Sequence, residues 1–141
     1  LEVENILAVK EASGALGQMA HVLRRCGDRL AVLSGDDNLT PALMGLGGNG
    51  VVSVASNIYP KRIVRMVDHY LASDFKAGNE IFYELLDFMN ALFWEANPGP
   101  VKAAAAIQGS GQAAVRLPLV EFAGDGREQL KALMNALGED R

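Results

Sequence analysis

The sequence predicts an α/β protein, with a small parallel sheet in the first half of its 141 residues and helices in the second half. The first half holds three short apolar runs, at 5–11, 30–35 and 50–56. They are rich in Val, Ile and Leu and do not alternate in polarity, which is typical of parallel strands covered on both faces. Helical patterns separate the runs, and helical spacing dominates after Pro60.

The segments between the strands predict two helices, over 17–25 and 38–46. The first places Met19, Val22 and Leu23 on one helical face, and the second ends in the glycine-rich run "GLGGNG". Pro41 falls in the first turn of the second helix, where a missing N–H costs little. The resulting β-α-β-α-β order predicts right-handed crossovers and a parallel sheet.

The second half predicts four more helices joined by short turns. The first begins at Pro60 and the second spans 79–94. The third runs from Pro100 to Gly109, and the fourth follows Asp125. Asp125 is the predicted N-cap of the last helix, and Glu128 three residues on would complete a capping box. The segment around Pro118 reads as an extended connector.

Three parallel strands cannot close a barrel, and a complete (β/α)8 barrel takes about 250 residues. The sequence therefore predicts the C-terminal part of a (β/α)8 TIM barrel, followed by a C-terminal helical extension. Residues 1–72 would form the last βα units of the barrel, and residues 73–141 the extension. The opening "LEVEN", which has no initiator Met, adds to the expectation of a partial chain.

The composition excludes several classes of protein. A formal net charge of −4 argues against a nucleic-acid partner, which usually meets a basic stripe. No apolar run reaches the roughly 18 residues that span a bilayer, and no signal peptide is visible. The single Cys26 suits a reducing compartment, so a cytoplasmic protein is expected. His21 and His69 are isolated, so no metal is expected, and no cofactor is predicted.

Lys10 is the first candidate for chemistry, because it ends the apolar run of the first strand. At the carboxyl end of a barrel strand it would point into the mouth where active sites lie. Desolvation by the run that begins with Ile6 would favour a neutral amine, which can attack a ketone and form a Schiff base. The alternative is a structural lysine that pairs with Glu11.

Two further candidates follow the other strands. In "SGDD", either Asp36 or Asp37 could hold a substrate amine, or one carboxylate could simply cap the next helix. The end of the third strand, near Val52, should also face the barrel mouth. A glycine cluster precedes the third strand. A phosphate-binding loop has the opposite order, with the strand before the glycines, so nucleotide binding is not expected.

Five motifs in order, "VKEASG", "LSGDD", "GGNGVVSVASN", "NPGPVKAA" and "RLPLVE", resemble the second half of the dihydrodipicolinate synthase family. The resemblance implies that Lys10 forms an imine with pyruvate and that the Val52 carbonyl contacts the pyruvate-derived group. It also implies that Gly35, Asp36 and Asp37 lie near the amine of aspartate semialdehyde. The implied protein is a cytoplasmic Schiff-base lyase of diaminopimelate and lysine biosynthesis, a homo-oligomeric TIM barrel.

The tyrosine, threonine and arginine residues that complete the family's site have no matching positions in this sequence. Three interpretations therefore stay open. The chain could carry the synthase chemistry, with the missing half needed for activity. It could be a catalytically silent fragment or a subunit that completes a barrel with another chain. It could also belong to another pyruvate-dependent Schiff-base aldolase, such as a sialic-acid lyase relative.

Overall fold

The computed structural model describes residues 3–140. Three strands occupy the first part of the chain, β1 (Ala8–Glu11), β2 (Ala31–Ser34) and β3 (Gly50–Val51). The six helices in the described range are α1 (Leu16–Cys26), α2 (Thr40–Gly45), α3 (Pro60–Leu71), α4 (Phe75–Ala91), α5 (Gly99–Gln108) and α6 (Gly124–Leu137). Two short 3-10 turns, Asp37–Leu39 and Ala55–Asn57, follow β2 and β3. The predicted α/β order is confirmed.

The sheet is parallel, with strand order β1-β2-β3. Val9 pairs with Val32, and Ser34 pairs with Val51. β3 is much shorter than the apolar run predicted over 50–56, because the backbone leaves the sheet soon after the strand begins. The N–H of Val52 still donates to the Ser34 carbonyl over 2.8 Å, after which the backbone enters the 3-10 turn.

Helices cover only one face of this sheet. Val9 and Val32 pack with Met19 of α1 and Leu43 of α2. On the other face, the side chains of Ala8 and Lys10 are exposed. The expectation that both faces are covered is therefore wrong for the described residues, because no element among them lies over the second face.

The main core is helical and joins the last βα unit to the helices that follow it. α3 packs extensively on α4, and α6 packs on both α4 and α5. Tyr59, at the start of α3, meets Phe88 of α4 edge-to-face with ring centroids 5.0 Å apart. This core crosses the predicted boundary between 1–72 and 73–141, and the division into those two parts stays a prediction. Residues 1, 2 and 141 lie outside the described part.

A side-chain cap explains where α4 begins, whereas α6 begins without one. α4 begins four residues earlier than predicted, because the Asp74 carboxylate accepts a hydrogen bond from the Ala77 N–H at 3.2 Å. The predicted capping box of α6 is wrong. Its N-cap is Ala123, which makes no side-chain bond, and Asp125 lies inside the first turn. A carboxylate there still complements the helix dipole.

The end of the chain is tied to the beginning of α3. The Asp140 carboxylate accepts hydrogen bonds from the N–H groups of Lys61, at 2.7 Å, and Arg62, at 3.1 Å. The Arg62 guanidinium donates to the carbonyls of Leu137 and Glu139. These contacts satisfy helix N–H groups that have no partner within the helix.

Candidate functional site

A cavity of about 360 Å³ opens where β1 and β3 end. It lies at the edge of the sheet where parallel α/β folds place their ligands. The loop after β3 forms one wall and the beginning of α5 forms another. Its lining residues are Lys10, Val52, Ser53, Val54, Asn57, Asn97, Pro98, Val101, Lys102 and Ala105. Lys10 and Val52, two candidates from the sequence, therefore share one cavity.

Gly35 is packed against Lys10. A Cβ atom built on Gly35 would lie 2.8 Å from the Lys10 Cε and 2.4 Å from the Ala12 Cβ. Gly35 is buried, and only a residue without a side chain fits beside the lysine stem. The "SGDD" turn is thus adjacent to the lysine, although Asp36 and Asp37 do not line the cavity.

The expected desolvation of the Lys10 amine is not found among residues 3–140. The Lys10 side chain is exposed. The apolar residues before it are exposed as well, Ile6 at 48% and Leu7 at 73%. The physical reason is the uncovered sheet face, since nothing in the described chain excludes water from it.

Glu11 does not pair with Lys10, so the ion pair expected in the structural alternative for the lysine is not formed. Successive residues of a strand point to opposite faces. Glu11 accordingly lies on the covered side, where it is 7% exposed and its Oε1 accepts a hydrogen bond from the Ser13 N–H at 3.1 Å. Within residues 3–140, Oε2 of this carboxylate has no hydrogen-bond partner.

Asp37 supports the wall of the cavity. Its side chain is 1% exposed, and Oδ2 accepts hydrogen bonds from the N–H groups of Val54, at 2.9 Å, and Ala55, at 3.1 Å. These bonds join the turn after β2 to the loop after β3. The sequence did not indicate this contact, because the partners are 17 and 18 residues apart.

Asp36 differs from its neighbour. It precedes the 3-10 turn at Asp37–Leu39, is half-buried, and makes no side-chain capping bond. Its backbone carbonyl accepts hydrogen bonds from the hydroxyls of Ser34, at 2.8 Å, and Thr40, at 3.2 Å. The helix α2 also has no side-chain cap. The interpretation of "SGDD" as a helix cap is therefore wrong, because hydroxyl groups hold the turn instead.

The α5 wall of the cavity was missed as a site by sequence reasoning. Asn97 and Pro98 precede α5, and Lys102 lies in the first part of the helix. The segment "NPGPVK" was noticed only as a family motif, and spacing alone offered no reason to bring Lys102 near Lys10. Packing of α5 on the turn after β3 creates that proximity.

Within residues 3–140, no group of three or more His, Cys, Asp or Glu side chains could hold a metal ion. His69 Nδ1 lies 3.4 Å from the Asp74 carboxylate, and Cys26 is a free thiol. No helix in this part of the chain has the length and hydropathy needed to cross a bilayer.

Comparison with known proteins explains this arrangement. The model of the dihydrodipicolinate synthetase family matches residues 1–137. The 4-hydroxy-tetrahydrodipicolinate synthase of Geotalea uraniireducens is 42% identical over 137 residues, which are 97% of this chain and 47% of the relative. The 4-hydroxy-tetrahydrodipicolinate synthase of Citrifermentans bemidjiense is 44% identical over 131 residues, which are 93% of this chain and 45% of the relative.

Solved structures agree. The crystal structure of dihydrodipicolinate synthase from Aquifex aeolicus superposes with a TM-score of 0.92 at 38% identity, covering 96% of this chain and 46% of that one. The crystal structure of dihydrodipicolinate synthase from Thermotoga maritima superposes with a TM-score of 0.92 at 32% identity. It covers 96% of this chain and 47% of that one. The chain thus spans about half the length of the relatives it matches. Because the family model covers nearly all of it, the chain belongs to the dihydrodipicolinate synthetase family.

Proposed function

We propose that the chain carries the Schiff-base half of a 4-hydroxy-tetrahydrodipicolinate synthase site, with Lys10 as the nucleophile. The observation that carries the proposal is the position of Lys10. It lies on a parallel strand, in a cavity at the carboxyl end of the sheet that Val52 also lines, and against Gly35. A relative that bears the synthase name matches 97% of the chain.

The proposed chemistry uses pyruvate and aspartate semialdehyde. The uncharged Lys10 amine attacks the ketone carbon of pyruvate, and uptake of one proton with loss of one water gives a protonated imine. Removal of a methyl proton gives an enamine, whose electron pair forms a carbon–carbon bond to the aldehyde carbon while the aldehyde oxygen takes up a proton. Water then hydrolyses the imine and restores the amine, and the product cyclises. No cofactor is needed for these steps.

The neighbouring residues take distinct parts in this proposal. Gly35 leaves space for the lysine stem, and the backbone at Val52 lines the place of the pyruvate-derived group. Asp36 is the better of the two aspartates for the substrate's amine, because its carboxylate makes no capping bond and is half-buried. Asp37 positions the loop after β3 and is not proposed to bind substrate.

The proposed activity needs a second covered face. Covering the open face of the sheet would withdraw water from Lys10, which favours the uncharged nucleophile. The family's proton-transfer and carboxylate-binding residues have no matching positions in this sequence. We therefore propose that turnover requires further chain, supplied by an oligomeric partner or by additional sequence, in the cytoplasm. A silent, barrel-completing role is the competing interpretation.

Trapping with borohydride tests the proposal. Pyruvate plus borohydride should give a covalent adduct on Lys10, seen as a mass increase on the peptide that contains it, because reduction fixes the imine. Lys10→Ala should abolish the adduct. Lys76→Ala is the matched control, since Lys76 is exposed on α4 and outside the cavity. Equal labelling of wild type and Lys10→Ala, or none in either, would favour the silent interpretation.

A further inference from the structure

The cavity holds a second amine besides Lys10. Lys102 belongs to α5 and lines the same 360 Å³ space, on the wall formed by the beginning of that helix. Its side chain is half-buried. Two lysines that approach one cavity from different elements are unusual, because like charges repel when they share a site.

Nothing acidic in the described residues compensates these charges. The cavity lining contains no Asp or Glu. Among residues 3–140, neither Lys10 nor Lys102 forms a salt bridge, and the Lys102 side chain has no hydrogen bond. The Lys102 ammonium is not among the buried polar atoms that lack a partner, so solvent reaches it. It is therefore free to donate a charge-assisted hydrogen bond to an anion in the cavity.

The position of Lys102 within α5 is a separate indication that this lysine binds an anion. It is the fourth residue of the helix, and the first turn of α5 contains no acidic residue. The N-terminal end of a helix carries partial positive charge, so a cation near it is unfavourable for the helix itself. Residues that break a local rule of this kind tend to belong to functional sites.

Cationic side chains also line a neighbouring cavity. This second cavity, of about 530 Å³, shares Pro98 and Lys102 with the first and is also lined by Arg116. Among residues 3–140, no Asp or Glu lines it either. The two cavities together are lined by Lys10, Lys102 and Arg116, whose charges would attract anionic ligands.

We propose that Lys102 is a substrate-binding residue that holds a carboxylate of the acidic ligand occupying the Lys10 cavity. The inference deepens the proposed function, on which it rests for the identity of the substrates. The ligand class is a short aliphatic acid with a carboxylate at the α5 wall and, where a keto group is present, a carbonyl carbon facing Lys10. Arg116 lines the neighbouring cavity and not the Lys10 cavity, so it contributes to attraction, not to the contact.

Succinate tests the contact, because it has two carboxylates and no ketone and so cannot form an imine. Binding to the 141-residue chain is followed by NMR titration at low ionic strength. Lys102→Met should weaken binding by roughly tenfold, as expected for loss of a charge-assisted hydrogen bond. Lys102→Arg, which keeps the charge, should stay close to wild type. Lys76→Met is the control of equal charge change and should bind as wild type does.

The measurement separates this inference from the pyruvate chemistry. Lys102→Met should still form the borohydride adduct at saturating pyruvate, but need a higher pyruvate concentration for half-maximal labelling. Lys10→Ala should lose the adduct while succinate binding still depends on Lys102. Succinate binding that is absent in wild type, or unchanged in a folded Lys102→Met, would overturn the inference. Missing adduct with Lys102-dependent succinate binding would instead overturn only the proposed function.

Discussion

The contact between Gly35 and Lys10 shows how one residue controls the candidate site. The glycine lies in the turn after β2, and its missing side chain makes room for both the Ala12 methyl group and the Lys10 stem. The lysine stem can move, but the Ala12 Cβ is fixed to the end of β1. Any side chain at position 35 must therefore displace the backbone that positions Lys10.

Gly35→Ala should accordingly destabilise the protein by about 1–3 kcal/mol, the usual cost of overpacking, and reduce adduct formation at Lys10. Gly17→Ala is the matched control. Gly17 lies in α1, and a Cβ there would meet nothing within 4 Å. Since alanine favours helix over glycine by up to about 1 kcal/mol, this control should be neutral or stabilising. Urea unfolding of both variants checks the difference, and equal effects would contradict it.

Several residue-level features could be predicted and others could not. Lys10 and Val52 were candidates because strand ends are visible as the ends of apolar runs, and the structure places both in one cavity. The tasks of Asp37 and Lys102 depend on contacts between distant segments, 17 residues apart for Asp37 and Val54. No local pattern encodes such distances.

At the scale of elements, the seam between α3 and α4 joins the last βα unit to the helical extension. Tyr70 of α3 donates its hydroxyl to Asn79 Oδ1 of α4 over 2.9 Å. A Cβ on Gly78 would lie 2.6 Å from the Tyr70 ring, so the two helices approach closely there. Burial raises the pKa of Tyr70 to about 12, and Tyr83 contributes in the same direction.

This seam should weaken at alkaline pH. A tyrosine in the unfolded chain ionises near pH 10, whereas Tyr70 in the folded chain ionises at about 12. Its contribution to stability is therefore complete below pH 10 and is lost as the pH rises through 12. Tyr70→Phe should cost about 1 kcal/mol at pH 8, and its deficit relative to wild type should shrink at pH 11.

Urea unfolding at the two pH values checks this prediction. Tyr83→Phe serves as the control, because Tyr83 is 67% exposed. That variant should stay within about 0.5 kcal/mol of wild type at pH 8, as surface substitutions usually do. The prediction would be contradicted if the stability that Tyr70→Phe loses relative to wild type were larger at pH 11 than at pH 8.

Over the molecule as a whole, the uncovered sheet face is the feature that should control how the chain behaves in solution. β1 and β3 are both edges of a three-stranded sheet, and Leu33 is only partly buried beside the exposed Lys10. Parallel sheets are normally covered on both faces, because their backbones and apolar side chains need shelter from water. The relatives that the chain matches are about twice as long as the chain itself.

We therefore expect the 141-residue chain to self-associate or to bind the dye ANS strongly. Leu33→Lys should reduce both effects, because it places a charge on the open face. Leu71→Lys is the control. Leu71 is 57% exposed on α3, away from the sheet, so this variant should behave as wild type does. Sedimentation velocity and ANS fluorescence are the measurements, and a compact monomer with a sharp thermal transition would contradict the expectation.

Patterns in the sequence were enough to predict the order of strands and helices, the family, and the lysine at the end of the first strand. Those features are local or nearly so, since apolar periodicity, glycine turns and short motifs all act within a few residues. Three other features became visible only in the folded chain: which face of the sheet is covered, which aspartate holds the loop after β3, and that Lys102 shares a cavity with Lys10. Each of these depends on where helices pack against strands, and burial, hydrogen bonding and charge are properties of that packing.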